Sequence, residues 1–167
     1  MADETYTDAI ALLKADHRKV EGLFEKFESA RNGSKQSIAE QICTELKIHT
    51  AIEEEIFYPV LRDKIEDDLL NEAYVEHDGA KVLINDIMAG GPDDEFYDAK
   101  VKVLSEEIKH HVQEEEARAE GMFAQVREAG VDLIGLRDQM LARKEALMAQ
   151  AEAGGLPPAE LTAIHAV

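Results

Sequence analysis

Apolar side chains recur every three or four residues along four stretches of this chain, each roughly twenty residues long, and this is the spacing of one helix face. The residue types agree, because the chain is rich in Ala, Leu, Glu and Lys and has four prolines among its 167 residues. Short breaks, two of them containing glycine, separate the stretches. The sequence therefore predicts an all-α fold: an up-down-up-down four-helix bundle with an additional C-terminal helix.

Capping residues and breaks set the predicted limits of the helices. Thr7 or Asp8 is expected to cap the first helix, and Ser37 with Glu40 has the spacing of a capping box at the start of the second. Pro59 is expected to kink or weaken the last turns of the second helix. These signals place the five helices at about 8–30, 37–60, 67–88, 95–129 and 132–153.

The chain length suits one domain with a continuous core and a terminal appendage. We expect the bundle to occupy residues 1–130, and a C-terminal helix with a flexible tail to occupy 131–167. Cys43 is the one cysteine, which excludes an internal disulfide and a cysteine-based zinc cluster.

The charge balance limits the partners that the chain could bind. Asp and Glu number 36 against 18 Lys and Arg, a formal net charge of −18. Phosphate backbones and anionic membranes should repel such a surface, so we expect neither nucleic acid nor a membrane as partner. The first ten residues lack the basic-then-apolar order of a signal peptide, and no stretch approaches the roughly 20 apolar residues of a membrane helix. A cytoplasmic location is predicted.

Each of the four apolar stripes is interrupted by polar residues that do not belong in an apolar core. A single histidine interrupts the first and third helices. In the second and fourth helices the interruption is a histidine followed one turn later by a glutamate. The interrupting residues are His17, His49, Glu53, His77, His111 and Glu115.

This arrangement predicts a metal site. A buried carboxylate without a partner costs several kcal/mol, and two such groups facing each other repel. Cations remove both problems, and imidazole nitrogens with carboxylate oxygens together suit iron, with each glutamate able to bridge two ions. Zinc and manganese are alternatives, because these ligands do not exclude them.

Taken singly, residues of these types are also common in proteins without a metal. A lone histidine on an apolar stripe is often a hydrogen-bonded core residue, and a lone His-x-x-x-Glu is often a surface pair. The second and fourth helices, however, carry two copies in register with the stripe, each followed by another glutamate, Glu54 or Glu116. His110 with Glu114 has the same spacing as His111 with Glu115 and stays the alternative fourth-helix pair, although its helix face is more polar.

The residues of about 7–129 resemble the hemerythrin-like, or HHE cation-binding, family. The match rests on His17, on the run HTAIEEEIFYP from His49 to Pro59, on His77 and on HVQEEE from His111. Glu120-Gly121 stands where the family often has an aromatic residue and proline, a departure that loosens the register there. The resemblance implies a diiron centre of two non-haem iron ions with an oxo or hydroxo bridge.

A second departure concerns function. The oxygen-carrying members of the family have a further histidine one turn before the third-helix ligand, where this chain has Ala73. Of about twelve positions around two octahedral irons, roughly two then remain open, against about one in the carriers. This difference favours reactivity over reversible carriage, although a carboxylate such as Glu72 or Glu76 could also reach in.

Three functions fit these features. The first is a diiron protein that binds, senses or reacts with dioxygen or related small oxidants, peroxide or nitric oxide, in stress response or iron handling. The second is a diiron enzyme with peroxidase, catalase-like or nitric oxide reductase activity. The third is a metal-free helical interaction module that binds a protein partner or itself through the C-terminal helix.

Overall fold

The structure is a computed structural model that describes residues 5–165, and this part of the chain contains helices and no strands. The predicted all-α class is therefore confirmed. None of the helices in this range is long and apolar enough to cross a membrane. The helices are α1 (Ala9–Ser29), α2 (Asn32–Ile52), α3 (Tyr58–Leu61), α4 (Asp67–Ala89), α5 (Tyr97–Glu116), α6 (Met122–Glu128) and α7 (Leu133–Gly154), with a π-helical segment (Glu53–Phe57) between α2 and α3.

Four long helices form the bundle. Helix α1 packs against α2 and α5, and α4 packs against α2 and α5, so the four enclose one interior. Helix α7 lies outside this square and packs against α1, α2 and the π-helical segment.

The interior is divided into two apolar parts by a polar layer. The first apolar core includes Leu13, Tyr58 and Leu70, and the second includes Val20, Leu46 and Ile84. The layer between them holds the polar residues that interrupt the stripes. They are His17, His49, Glu53, His77, His111 and Glu115, and all six are buried.

One predicted cap is present and one is not, and α7 has a cap that was not predicted. Asp8 caps α1 by accepting a hydrogen bond from the Ala11 amide, and Asp132 caps α7 in the same way. The predicted capping box at Ser37 is wrong, because α2 already begins at Asn32. Two extended residues, Ala30 and Arg31, are enough to turn the chain, and Glu40 instead accepts a hydrogen bond from Gln36.

The second helix departs from α-helical geometry where Pro59 predicts it. The Tyr58 amide donates to the carbonyl of Glu53, five residues back, and closes the π-helical segment. Pro59 follows in the first turn of α3, where its missing N–H disrupts the least. This turn places Glu53 and Tyr58 in the interior, and short π-helical turns are frequent at functional sites.

The fourth helix is shorter than predicted. It ends at Glu116, and the expected continuation to about residue 129 is wrong. Ala117 is extended, and Gly121 then approaches it so closely that a Cβ on Gly121 would lie 2.4 Å from the Ala117 carbonyl oxygen. Helix α6 therefore starts in a new direction and brings Phe123 into parallel stacking with the His17 ring, 6.0 Å between centroids.

The residues after α7 have no regular secondary structure, but they make several hydrogen bonds to the bundle. The amides of residues 162–164 donate to the Asp78 carboxylate, and Ala159 exchanges two hydrogen bonds with the side chain of Asn85. The two-part division at residue 130 stays a prediction, and its outer limits, residues 1 and 167, lie outside the described range.

Candidate metal centre

Two clusters of three side chains lie in the polar layer. The first cluster is His17, His49 and Glu115, and the second is Glu53, His77 and His111. Within each cluster one ligand atom per residue lies within 4.8 Å of the others, a separation that leaves room for one ion between them. The structure thus brings together all six residues selected from the sequence, and their role as ligands stays a prediction.

Each glutamate lies between the two clusters. Glu53 Oε1 is 2.8 Å from His49 Nε2 and 3.5 Å from His77 Nε2. Glu115 Oε1 is 3.3 Å from both His17 Nε2 and His111 Nε2. Each carboxylate therefore contacts a histidine of both clusters, and its bridging of two ions stays a prediction.

The unpaired atoms of the layer fit a cation. Five side-chain atoms, from four residues, are fully buried without a hydrogen-bond partner among the described residues, and we call them the orphaned atoms. They are His17 Nε2, His49 Nε2, both oxygens of Glu53 and Glu115 Oε1. Several lie within ion-pair distance of one another but are not aligned for a hydrogen bond. Buried polar atoms normally have partners, and nitrogen and oxygen atoms directed at one region are a suitable ligand set for a metal ion.

The outer nitrogen of every ring meets a carboxylate. This contact fixes the tautomer, because Nδ1–H donates to the carboxylate and leaves Nε2 free for a metal. Such outer partners are usual for histidine ligands. The pairs are His17–Glu116 at 2.5 Å, His49–Asp16 at 3.0 Å, His77–Glu54 at 2.9 Å and His111–Glu76 at 2.8 Å.

Each of these four carboxylates also contacts a basic side chain. The sequence signals only part of this arrangement, since Glu54 and Glu116 each follow a predicted ligand, whereas Asp16 and the basic partners carry no pattern of their own. The basic partners are Arg18 for Glu116, Lys144 for Asp16, Lys81 for Glu54 and His110 for Glu76.

The alternative fourth-helix pair lies at the surface. The side chain of His110 is 63% exposed and contacts both Glu76 and Glu114. His111 is 5% exposed and faces the layer, as its phase with the apolar stripe predicts. His110 therefore contacts Glu76 at the surface and does not face the polar layer.

Tyr58 is a site residue that sequence reasoning did not single out. Its hydroxyl donates to Glu115 Oε2 at 3.0 Å and lies 3.2 Å from His77 Nε2 and 3.4 Å from His111 Nε2. Ala73, which replaces the carriers' extra histidine, is buried in the same apolar core as Tyr58. A phenol, rather than a further imidazole, therefore faces the second cluster.

Electrostatics without a metal favours charged pairs in the layer. Burial by itself would lower the pKa of His49, but Glu53 and Asp16 raise that pKa to about 10. Burial would likewise raise the pKa of Glu115, yet His111 and His17 hold it well below its usual value. Protons on the rings therefore take the place of the cations.

Metal binding is therefore expected to strengthen as pH rises. The pKa of His49 is raised to about 10 and that of His111 well above its usual value, both through neighbouring carboxylates, so protons compete with a metal ion for Nε2 of these rings. Competition titrations with Zn²⁺ between about pH 6 and pH 8 should show affinity increasing throughout, with protons released into weakly buffered solution. An affinity that does not change over this range would contradict the expectation.

A small cavity of about 20 Å³ lies beside the rings. Its apolar walls include Val20, Leu46, Ile108 and Val112, which belong to or pack near the second apolar core. The volume corresponds to roughly one water-sized molecule. The interior beside the layer thus has room for a very small apolar or weakly polar molecule.

Comparison with known proteins agrees with this geometry. The family model of the hemerythrin HHE cation binding domain matches residues 8–126. A DNA nickase from Nostoc sp. (strain PCC 7120) is 30% identical over 117 residues, 70% of this chain and 32% of the nickase, so the chain spans about a third of that relative. A crystal structure of a hemerythrin HHE cation binding domain-containing protein from Mycobacterium kansasii superposes with a TM-score of 0.74 at 22% identity, covering 90% of this chain and 95% of the other.

Proposed function

The chain belongs to the hemerythrin HHE cation binding domain family, and from this we propose that it holds two non-haem iron ions and binds or reacts with dioxygen, peroxide or nitric oxide. The observation that carries the proposal is the pair of buried clusters joined by Glu53 and Glu115. A metal-free interaction module would have to keep these carboxylates and rings charged and buried, and removing such charges from water costs several kcal/mol.

The chain's own residues would hold and orient the ions. His17 and His49 would bind one ion and His77 and His111 the other, with Glu53 and Glu115 shared between them. The outer carboxylates keep each ring in the tautomer that presents Nε2. Bound iron supplies Lewis acidity and one-electron redox steps.

The surroundings favour a small reactant. Both clusters lie between two apolar cores, which exclude bulk water, and the adjoining cavity of about 20 Å³ admits a molecule of few atoms. Dioxygen, nitric oxide and hydrogen peroxide are of this size. Larger organic substrates do not fit there without movement of the helices.

Tyr58 favours an enzyme as the second candidate function. Reduction of a peroxide consumes protons, and the Tyr58 hydroxyl is a proton source directed at Glu115 within the layer. Burial, followed by the charges of Glu115 and Glu53, raises the pKa of Tyr58 well above its usual value, so the hydroxyl is protonated at neutral pH. It donates its proton only to a strongly basic oxygen, such as one released when the O–O bond of a peroxide breaks. A peroxidase, catalase-like or nitric oxide reductase activity is the alternative to binding or sensing.

Anaerobic reconstitution tests the proposal. Full-length protein is loaded with ferrous iron, and metal content and near-ultraviolet absorbance are recorded before and after exposure to air or peroxide. We expect close to two irons per chain and new absorption on oxidation, both lost in His49→Ala and kept in the control His165→Ala, which changes an exposed tail residue. Repeated turnover of peroxide would select the enzyme, and reversible oxygenation would select the carrier or sensor. Absence of stoichiometric iron would contradict both.

Tyr58→Phe is expected to keep the iron and slow peroxide consumption. Removing one oxygen preserves the packing of this buried ring but removes the proton donor, so the rate should fall at least about tenfold. Tyr74→Phe is the matched control, because its ring packs against Tyr58 with 5.3 Å between centroids. Equal rates in Tyr58→Phe and wild type would contradict a role in proton supply.

Nicking of DNA, the activity named for the Nostoc relative, is not proposed for this chain. The net charge of −18 opposes binding to a phosphate backbone, and the match covers 32% of the length of that relative. Conversion of supercoiled plasmid to the open form by metal-loaded protein would contradict this expectation. The cytoplasmic location and a protein partner for α7 likewise stay predictions.

A further inference from the structure

The segment after the bundle, residues 133–165, contacts the carboxylates around the polar layer at two points. The first of these contacts is made by α7. Lys144 is buried, and its Nζ lies 2.5 Å from Asp16 Oδ1. The other oxygen of Asp16 accepts from His49 Nδ1 at 3.0 Å. The Asp16 carboxylate thus lies between the ammonium group of Lys144 and the His49 ring, and the contact with Lys144 holds it in place against that ring.

The tail reaches the layer at a second point. Thr162 Oγ1 donates to Glu54 Oε1 at 2.5 Å, and Glu54 Oε2 accepts from His77 Nδ1 at 2.9 Å. Lys81 also contacts Glu54, so the hydroxyl of Thr162 completes the shell around this carboxylate. The backbone amides of residues 162–164 fix the tail on Asp78, one residue from the His77 ring.

These two contacts are distributed over both clusters. His49 belongs to the first cluster and His77 to the second. The remaining two rings are supported from within the bundle, through Glu116 with Arg18 and Glu76 with His110. Each cluster thus has one ring that depends on residues 133–165 and one that does not.

We propose that two residues of the segment after the bundle, Lys144 and Thr162, act as positioning residues of the metal centre, for His49 and His77 respectively. The inference rests on the proposed function, and it concerns residues that lie after the matched family domain, 8–126. A ring whose outer carboxylate loses its support binds metal more weakly, because its orientation and basicity both decline. The C-terminal segment therefore tunes metal retention without touching an ion.

Lys144→Met tests the α7 contact. Full-length variants are loaded anaerobically with ferrous iron and transferred to an excess of a chromogenic ferrous chelator, and the release of iron is followed. We expect the variant to lose one of two ions about tenfold faster than wild type. Arg143→Met is the matched control, because this neighbouring residue pairs with Glu55, which is not one of the four carboxylates on the rings. It should release iron like wild type.

Melting of the metal-free variants distinguishes a positioning role of Lys144 from a role in stabilising the fold alone. If Lys144 only stabilised the fold, metal-free Lys144→Met would melt at a lower temperature than metal-free wild type. Its rate of iron release at low temperature would nevertheless match that of Arg143→Met, and the proposal would be overturned. Faster release at a temperature where both metal-free variants are folded supports it.

Thr162→Val tests the tail contact. Valine keeps the shape and removes the hydroxyl, so release of one ion should accelerate by about threefold, a smaller change than for Lys144→Met because Thr162 is exposed. Thr162→Ser keeps the hydroxyl and should restore the wild-type rate. This inference alone would be overturned if wild-type protein holds two irons and both Lys144→Met and Thr162→Val release them at the wild-type rate. Wild-type protein without iron would overturn the proposed function as well.

Discussion

Glu53→Ala is expected to lose metal binding almost entirely. Glu53 lies between His49 and His77, so its carboxylate is shared by both clusters, and both of its oxygens are buried without a hydrogen-bond partner among the described residues. Removing an outer partner of a ligand typically costs 10–100-fold in affinity, and removing a shared ligand should cost more than about 100-fold. Neither ion should then be retained.

Glu55→Ala is the control for this experiment. Glu55 lies in the same π-helical segment but is exposed and pairs with Arg143 at the surface. Metal content after gel filtration should be about two ions per chain in Glu55→Ala and close to none in Glu53→Ala. Circular dichroism of both metal-free variants shows whether the helices persist. Two ions retained by folded Glu53→Ala would contradict the assignment of this residue.

Metal removal should lower the melting temperature strongly. Ions that bind the folded state alone stabilise it by about 2.7 kcal/mol each at a free concentration of 100 times the dissociation constant, hence about 5 kcal/mol for two. For a chain of this length the shift is about 2–4 °C per kcal/mol, so chelation should lower the melting temperature by about 10–20 °C. Differential scanning calorimetry with and without chelator measures this shift.

Glu53→Ala again provides the control, because its melting temperature should not respond to chelator if it holds no metal. A wild-type chain that melts identically with and without chelator would contradict the prediction and would favour the metal-free interaction module.

The six residues of the layer could be predicted from the sequence because the signal is local. Each one continues an apolar stripe at a spacing of three or four residues, and burial of the stripe carries the polar residue inward with it. The same phase distinguishes His111 from His110 without knowledge of the other helices. Helix periodicity therefore selects these six residues, but it does not select Tyr58, which also faces the layer.

The supports around the rings could not be predicted, because they join residues far apart in the chain. Asp16 and Lys144 are separated by 128 positions, and His17 and Glu116 by 99. Which long side chain reaches which carboxylate depends on how the helices cross, and no periodicity in one helix records this. The contacts of Lys144 and Thr162 with the carboxylates around the polar layer therefore appear only in the folded molecule.

Backbone departures form an intermediate case. Pro59 predicts an irregularity, but not the π-helical turn that directs Tyr58 inward. Gly121 is the residue that permits the break after Glu116, since a side chain there would collide with Ala117. In the sequence the same glycine marks only a departure from the family pattern, because its close contact with Ala117 exists only after the chain has turned.

X-ray anomalous scattering at the iron edge tests the central claim most directly. In crystals of full-length protein loaded with ferrous iron, we expect two difference peaks in the polar layer, one among His17, His49 and Glu115 and one among Glu53, His77 and His111. Absence of both peaks from fully loaded crystals, or iron bound instead at the surface beside His110 and Glu114, would contradict it.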